Sequence, residues 1–403
     1  ETSLRREVLP LADLSAWQNS SPTPKEFLWS GRIPKGEVTI LTGGGGLNKS
    51  TAMHQAVVCR AAGRTFLGVD ITPGPSLYVT AEDDFARLEW MQFHFCQALN
   101  VDPASLVDKM FLSSLRGELN NELATFDADG KIKPAPAFQR LKATLEATSA
   151  DFLVLDNVAH LFAGNENDRV QVTAFVNLLY SLGVTVVLIG HPNKKGDSYS
   201  GSTAWLNAVR SQLVIERADE FDPDARVLRV DKANYARPDE EIRYRWHDFA
   251  LWLESDLPKD ISREIAKTVQ ASGDNEIFLR CLRARNAQER PVSESPSSRT
   301  YAPRIFEKMA EAKGLRMPRL ENAMERLFRI NAIERGVVCN VGRKDREGII
   351  ENCADVRADP CADSCADVHP QGAPSAPSHT PTYGSAGAAP DGPPASAHGD
   401  AHG

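Results

Sequence analysis

Short apolar, β-branched runs alternate with segments of helical periodicity over the first half of the chain. Val38-Thr-Ile-Leu41 runs into four consecutive glycines and then a helical stretch from Ser50 to about Ala62. Ser76-Leu-Tyr-Val-Thr80 reads as a strand, and residues 84–99 place Phe85, Leu88, Met91 and Phe95 at helical spacing. Residues 136–150 and 170–182 read as further helices, with strands at Asp151–Asp156 and Val184–Ile189. Several of these strands are apolar on both faces. That pattern predicts an α/β fold with a mainly parallel sheet covered by helices. Gln212–Glu216, Ala225–Asp231, Ile242–Trp246 and Leu251–Glu254 follow without long helices between them, and are expected to extend the sheet as antiparallel edge strands.

The pattern changes after residue 260. Ile277, Phe278, Cys281 and Leu282 form one apolar stripe, and Ile305, Phe306 and Met309 a second. Leu320, Met324, Leu327 and Phe328 form a third on a helix opened by Pro318. Two short strands around Gly336–Val341 and Gly348–Ile350, joined by Gly342–Arg346, complete an outline of three helices and a basic hairpin. That is the outline of a winged-helix domain. Residues 1–30 read as an arm broken by Pro10, Pro22 and Pro24, with Trp17, Phe27, Leu28 and Trp29 available to dock on a neighbour. Residues 351–403 are rich in Pro, Gly, Ala and Ser and nearly devoid of large apolar residues, so they are expected to be disordered. The expected segments are therefore 1–30, 31–258, 261–350 and 351–403.

Composition narrows the class. The 403 residues are 42% hydrophobic and 25% charged, the proportions of a soluble globular protein. No apolar run approaches the ~18–20 residues of a membrane helix. The opening Glu1-Thr-Ser-Leu-Arg-Arg6 lacks a signal-peptide core, so the expected compartment is the cytoplasm. Net charge is −8, distributed as −8 over residues 1–260, +6 over 261–350 and −6 over the tail. The basic module is where a polyanion contact is expected. Of the seven cysteines, Cys59, Cys96, Cys281 and Cys339 lie in apolar patterns and read as small core residues. Cys353, Cys361 and Cys365, with His369 nearby, offer zinc-ligand types without a paired C-x-x-C spacing, and low-complexity drift is the stronger reading.

The chemistry concentrates in Gly43-Gly44-Gly45-Gly46-Leu47-Asn48-Lys49-Ser50, directly after a strand and opening a helix, with Thr51 following. It matches the phosphate-binding pattern G-x-x-x-x-G-K-[ST] except that Asn48 replaces the last glycine. Backbone N–H groups of such a turn wrap a phosphate at a helix N-terminus, the lysine neutralises β/γ oxygens and the serine ligates Mg²⁺. Asn is the side chain that best tolerates the positive φ a glycine would hold. The alternative is a flexible glycine turn. Asp156, ending a buried strand, fits the second Mg²⁺ anchor or a helix cap. Glu82, beyond the strand 76–80, fits a base that polarises water, with Asp83 and Asp84 as competitors. His191 fits a γ-phosphate sensor or a structural histidine. The polar loop Pro192–Gly201, with two lysines and a tyrosine, fits a single-strand-binding loop or an ordinary exposed one.

Taken together, Gly43–Ser50, Val79–Asp83, Val154–Asp156, Gly190-His191, Gly201–Arg210 and Asp231–Tyr235 resemble the RecA-fold ATPases of the RepA type. These are plasmid- and phage-encoded AAA-family proteins related to hexameric replicative helicases, with RadA and KaiC as more distant relatives. The resemblance covers about residues 30–255. It implies ATP and Mg²⁺ as cofactors, Lys49 and Ser50 on phosphate and metal, Glu82 as catalytic base and Asp156 as the metal-side acid. It further implies His191 as γ-phosphate sensor, Arg210 as an arginine finger reaching a neighbouring subunit, and Lys232 as a helper in trans. Asn48 departs from the pattern, and the 261–350 module looks like the C-terminal domains of phage members.

In that module Arg316, Arg319, Arg326 and Arg329 lie along the third helix, with Arg343, Lys344 and Arg346 at the hairpin tip. This suits a helix read into a duplex major groove; a solvated face is the rival, since Glu321 and Glu325 share the helix. The expectation is a homo-hexameric DNA helicase or helicase-like replication protein, with single-stranded DNA through the ring and duplex at 261–350. The rivals are a nucleotide-gated DNA-binding regulator with little turnover, and a P-loop kinase, for which no lid-like basic segment is visible.

Overall fold

The computed structural model describes residues 9, 11–18, 21–190, 203–237, 241–341 and 344–352. Its centre is a nine-stranded sheet. In chain order the strands are β1 (Val38–Gly43), β2 (Ser76–Thr80), β3 (Met110–Ser114), β4 (Phe152–Asp156), β5 (Thr185–Ile189), β6 (Ser211–Arg217), β7 (Ala225–Ala233), β8 (Ile242–His247) and β9 (Ala250–Leu253). Across the sheet they run β9-β8-β7-β6-β1-β5-β4-β2-β3. The six strands from β6 to β3 are mutually parallel, and β7, β8 and β9 add antiparallel. This is the RecA-like α/β core that the alternation of strands and helices predicts.

One expectation about the sheet is corrected. Gln212–Glu216 does not pair antiparallel at an edge; β6 lies parallel to β1, with Ser211 opposite Thr39 and Ile215 opposite Gly43. Its alternating burial reports a strand with one better-covered face, and that pattern carries no information on direction. The antiparallel extension begins one strand later.

Helices cover both faces. Helices α1 (Lys49–Ala61) and α2 (Phe85–Ala98) pack on one, where Met53, Ala56 and Val57 meet Leu41, Val154, Val187 and Leu213. Helices α3 (Pro136–Thr148), α4 (Arg169–Tyr180) and α5 (Thr203–Ala208) close the other, through Phe138, Leu141, Phe175 and Trp205 against Ile40, Leu153, Leu155 and Leu188. Neighbouring residues of each strand thus serve opposite layers, as the two-residue period requires. Leu28 and Trp29 are buried in this core, with the Trp29 ring 5.0 Å from Phe66, so they are not free to dock elsewhere; Trp17 is exposed.

The C-terminal unit comprises α6 (Lys259–Ala287), α7 (Ala302–Phe306), α8 (Met317–Arg329) and the antiparallel hairpin β10 (Ile333–Val341) and β11 (Lys344–Glu351). The three apolar stripes converge: Phe278, Cys281, Phe306, Leu320, Leu327, Ile333 and Ile349 share one core. The hairpin is longer than the sequence suggests, so Lys344 and Arg346 lie on β11 rather than in a loop. No helix among the described residues is long and apolar enough to cross a membrane.

Candidate nucleotide site

Strands β1, β2, β4 and β5 are parallel, so their carboxyl ends share one edge, where ligands of open α/β sheets bind. Gly43, Thr80, Asp156 and Ile189 end these strands, and β5 separates β1 from β4. The glycine loop leaves β1 here and turns into α1. At Gly43 the backbone passes so close to β6 that a Cβ would lie 2.5 Å from the Ile215 carbonyl oxygen, and glycine is required. Asn48 is the N-cap of α1 at φ 61°, the left-handed conformation expected of the residue replacing a glycine.

Lys49 opens α1 and folds back into the loop, its Nζ donating to the carbonyls of Gly43 and Gly44, each at 2.9 Å. Burial pulls its pKa down to about 8, against the opposing charges of Asp156 and Glu82. Those two carboxylates are therefore close enough for their charges to act on it. Asp156 is 1% exposed; the Tyr78 hydroxyl donates to its Oδ2 at 2.7 Å, while Oδ1 has no hydrogen-bond partner among the described residues. Burial raises its pKa, opposed by the Tyr78 and Ser50 hydroxyls. A buried carboxylate oxygen without a donor, beside a serine hydroxyl at a helix N-terminus, is a fitting donor set for Mg²⁺.

The acids after β2 separate clearly. Thr80 Oγ1 accepts the backbone N–H of both Glu82 and Asp83 at 3.2 Å. The Glu82 side chain is solvent-facing, with Oε1 accepting from Asn157 Nδ2 and lying 3.9 Å from His160 Nε2. Asp84 is the N-cap of α2, accepting from the Arg87 N–H at 2.8 Å. Asp83 is half-buried and its pKa is raised, first by burial and then by Asp156. Among the three, Glu82 alone combines access to water with an amide that fixes its carboxylate at the site.

Arg210 and Lys232 lie elsewhere. Arg210 precedes β6, its N–H donating to Val38 O at 3.3 Å, so it stands at the amino end of β1, roughly 16 Å of strand from the glycine loop. It is exposed and has no ion pair among the described residues; Glu216 pairs with Arg229 at 3.1 Å instead. Lys232 Nζ donates to Leu206 O at 2.6 Å, and burial and the Arg210 charge lower its pKa. The two cations are neighbours, away from their own chain's phosphate loop. His191, the loop 192–202, Arg343 and the tail with Cys353, Cys361, Cys365 and His369 lie outside the described residues.

On α8 the basic face is divided. Arg319 makes two bonds to the buried Asp274 carboxylate on α6, at 3.0 and 2.5 Å. Arg326 bonds Asn275 Oδ1 at 3.0 Å and Ala271 O at 3.3 Å. These bonds fasten α8 to α6, although the Arg319 side chain itself stays 47% exposed; Arg316 and Arg329 are exposed as well.

One residue of the site escapes any reading of the sequence. Arg226, at the start of β7, is 5% exposed and donates to Asn48 Oδ1 at 3.1 Å and Gly46 O at 3.4 Å. It is nearly two hundred residues from the loop it holds and belongs to no motif.

In comparisons with known proteins, the family model of an AAA domain matches residues 5–197, a little under half of the chain, and no curated protein matches it. The matched stretch carries the glycine loop, Glu82, Asp156 and strands β1 to β5. Residues 5–197 are therefore similar to an AAA domain, with the glycine loop in the place of a P-loop.

Proposed function

We propose that the chain, built on its AAA ATPase domain, is a ring-forming motor that couples ATP hydrolysis to work on DNA, as a helicase-like replication protein of a phage, prophage or plasmid does. One observation carries this reading: Arg210 and Lys232 stand exposed or half-buried at the sheet edge opposite their own phosphate loop. Cations so placed serve a phosphate only on an adjacent copy, which makes the complete site a property of an assembly.

Within one subunit, the loop N–H groups and Lys49 bind the phosphates. Ser50 and Asp156 would hold Mg²⁺, which supplies positive charge against the phosphate oxygens when bound. Glu82, its carboxylate fixed through Asn157, accepts the proton of the attacking water. Arg210 of a neighbour holds the γ-phosphate oxygens as charge develops. DNA as substrate is supported by the ordered set of motifs, by the net +6 of residues 261–350, and by the exposed Arg316, Arg329, Lys344 and Arg346.

The experiment is ATP hydrolysis with and without single-stranded DNA, alongside mass determination with nucleotide. Stimulated turnover by an oligomer supports the motor. A regulator that binds ATP with little turnover is the second reading, because Asn48 stands where the phosphate-binding pattern has its last glycine. ATP-dependent duplex binding without turnover would select it.

A further inference from the structure

The contact between Arg226 and the glycine loop is one end of a longer connection. Arg226 closes the turn between β6 and β7, and residues 219–226 of that turn are held rigidly. Asp219 Oδ1 accepts the Phe221 N–H at 2.7 Å, and Asp222 Oδ1 accepts the N–H groups of Asp224 and Ala225 at 3.1 Å. Asp222 is buried and gripped by both terminal nitrogens of Arg245 at 2.7 Å. Hydrogen bonds and a buried ion pair thus brace the turn from Asp219 to Ala225.

Its other end enters the C-terminal unit. Phe221 packs against the core of that unit, and its ring centroid lies 5.5 Å from the Arg280 guanidinium and 5.9 Å from Lys313 Nζ. Glu220 pairs with the same two cations. At Gly273 of α6 a Cβ would lie 3.2 Å from the Phe221 ring, so the helix presents its bare backbone to this side chain. Asn48 and Gly273 are thus the two small contacts at the ends of one braced turn.

We propose that Arg226 is a positioning residue for the phosphate loop, acting through Asn48, and that the 219–226 turn links nucleotide affinity to the seating of residues 259–352. The substitution of Asn for glycine then has a use: glycine meets the backbone demand but offers no side chain for Arg226 to hold. Linkage requires the effect to run both ways. Whatever contacts the C-terminal unit and shifts α6 changes ATP affinity, and bound ATP steadies α6. This rests on the nucleotide-site reading above.

The test is calorimetric titration of the full chain with Mg·ATP, using Arg226→Ala, Asn48→Gly, their double variant, Phe221→Ala and Arg280→Ala. Arg226→Ala is expected to weaken ATP about ten-fold, the loss typical of a hydrogen bond from a charged donor. The double variant should bind no more weakly than Arg226→Ala alone, since both break one connection. Phe221→Ala and Arg280→Ala, which touch nothing at the phosphate site, should each weaken ATP several-fold, within the usual range of coupling between sites. Saturating ATP should slow amide exchange around Gly273–Leu282 in the wild-type chain and not in Phe221→Ala. Wild-type binding with unchanged affinity in both Phe221→Ala and Arg280→Ala overturns the linkage, and additive losses in the double variant overturn the role of Asn48. Failure of the wild-type chain to bind ATP removes the nucleotide-site reading itself.

Discussion

Lys49, Asp156 and Glu82 come from three different strand ends and meet because those strands are parallel. Lys49→Ala is expected to abolish ATP hydrolysis, since no other described cation enters the loop at that point. Glu82→Gln keeps the shape and the Asn157 contact but removes the base, so ATP should still bind while steady-state turnover falls ~10²-fold or more. Asp84→Ala provides the contrast: it removes the α2 N-cap and should cost about 1 kcal/mol in urea unfolding with the ATPase rate retained. His54 adds a pH dependence of its own. It is wholly buried on α1, bonded to Gln92 Oε1 at 3.0 Å, and burial pulls its pKa down to about 4 from an ordinary 6.5. Between those values the unfolded chain binds the proton that the folded one refuses. Its contribution is whole above pH 6.5 and is lost as the pH falls toward about 4, with a limit on the order of 3 kcal/mol. Urea midpoints at pH 7 and pH 5 should therefore converge in His54→Gln relative to wild type.

At the level of elements, α8 is held by two arginines whose acceptors all lie on α6. Arg319→Ala leaves the Asp274 carboxylate buried without its partner and should destabilise the C-terminal unit by about 2 kcal/mol in thermal unfolding. Arg329→Ala, exposed on the same helix, should stay within ~0.5 kcal/mol. The sequence could place both arginines on one helix but not say which neighbour they would face, because periodicity fixes a residue's own angle and not the partner's. The same limit explains the other differences. Strands β2, β4 and β5 were legible because two-sided burial demands continuous apolar runs. Strand β3 was not, since Met110–Ser114 is half-buried throughout and carries two serines. Nor was the short hairpin of Ala124–Phe126 with Ile132–Pro134. The glycine loop was legible because its chemistry is local, spanning eight consecutive residues. Arg226 was not, because it joins the site only through the pairing of β6 with β1 and of β7 with β6.

For the whole molecule, the separation of Arg210 from its own glycine loop sets a test of assembly. Arg210→Ala and Lys49→Ala proteins should each be inactive, yet a mixture should recover part of the ATPase. Mixed assemblies contain some interfaces with an intact loop facing an intact arginine. No recovery at any ratio, with subunit exchange confirmed by native mass spectrometry, would place Arg210 outside the site. The sheet has a further consequence for how the chain is made. Strand β1 lies between β5 and β6, yet β6 is more than 160 residues further along. A ribosome that has released residues 5–197 has delivered the glycine loop, Glu82 and Asp156 but leaves one side of β1 without its hydrogen-bonding neighbour. Until about residue 226 emerges, the glycine loop has neither Ile215 behind it nor Arg226 across it. The nascent chain passes through a stage with an open, apolar strand edge, the feature that templates aggregation. A fragment ended at residue 197 is expected to be insoluble and blind to ATP, and one ended near residue 258 soluble, with centrifugation and calorimetric titration as the measurements.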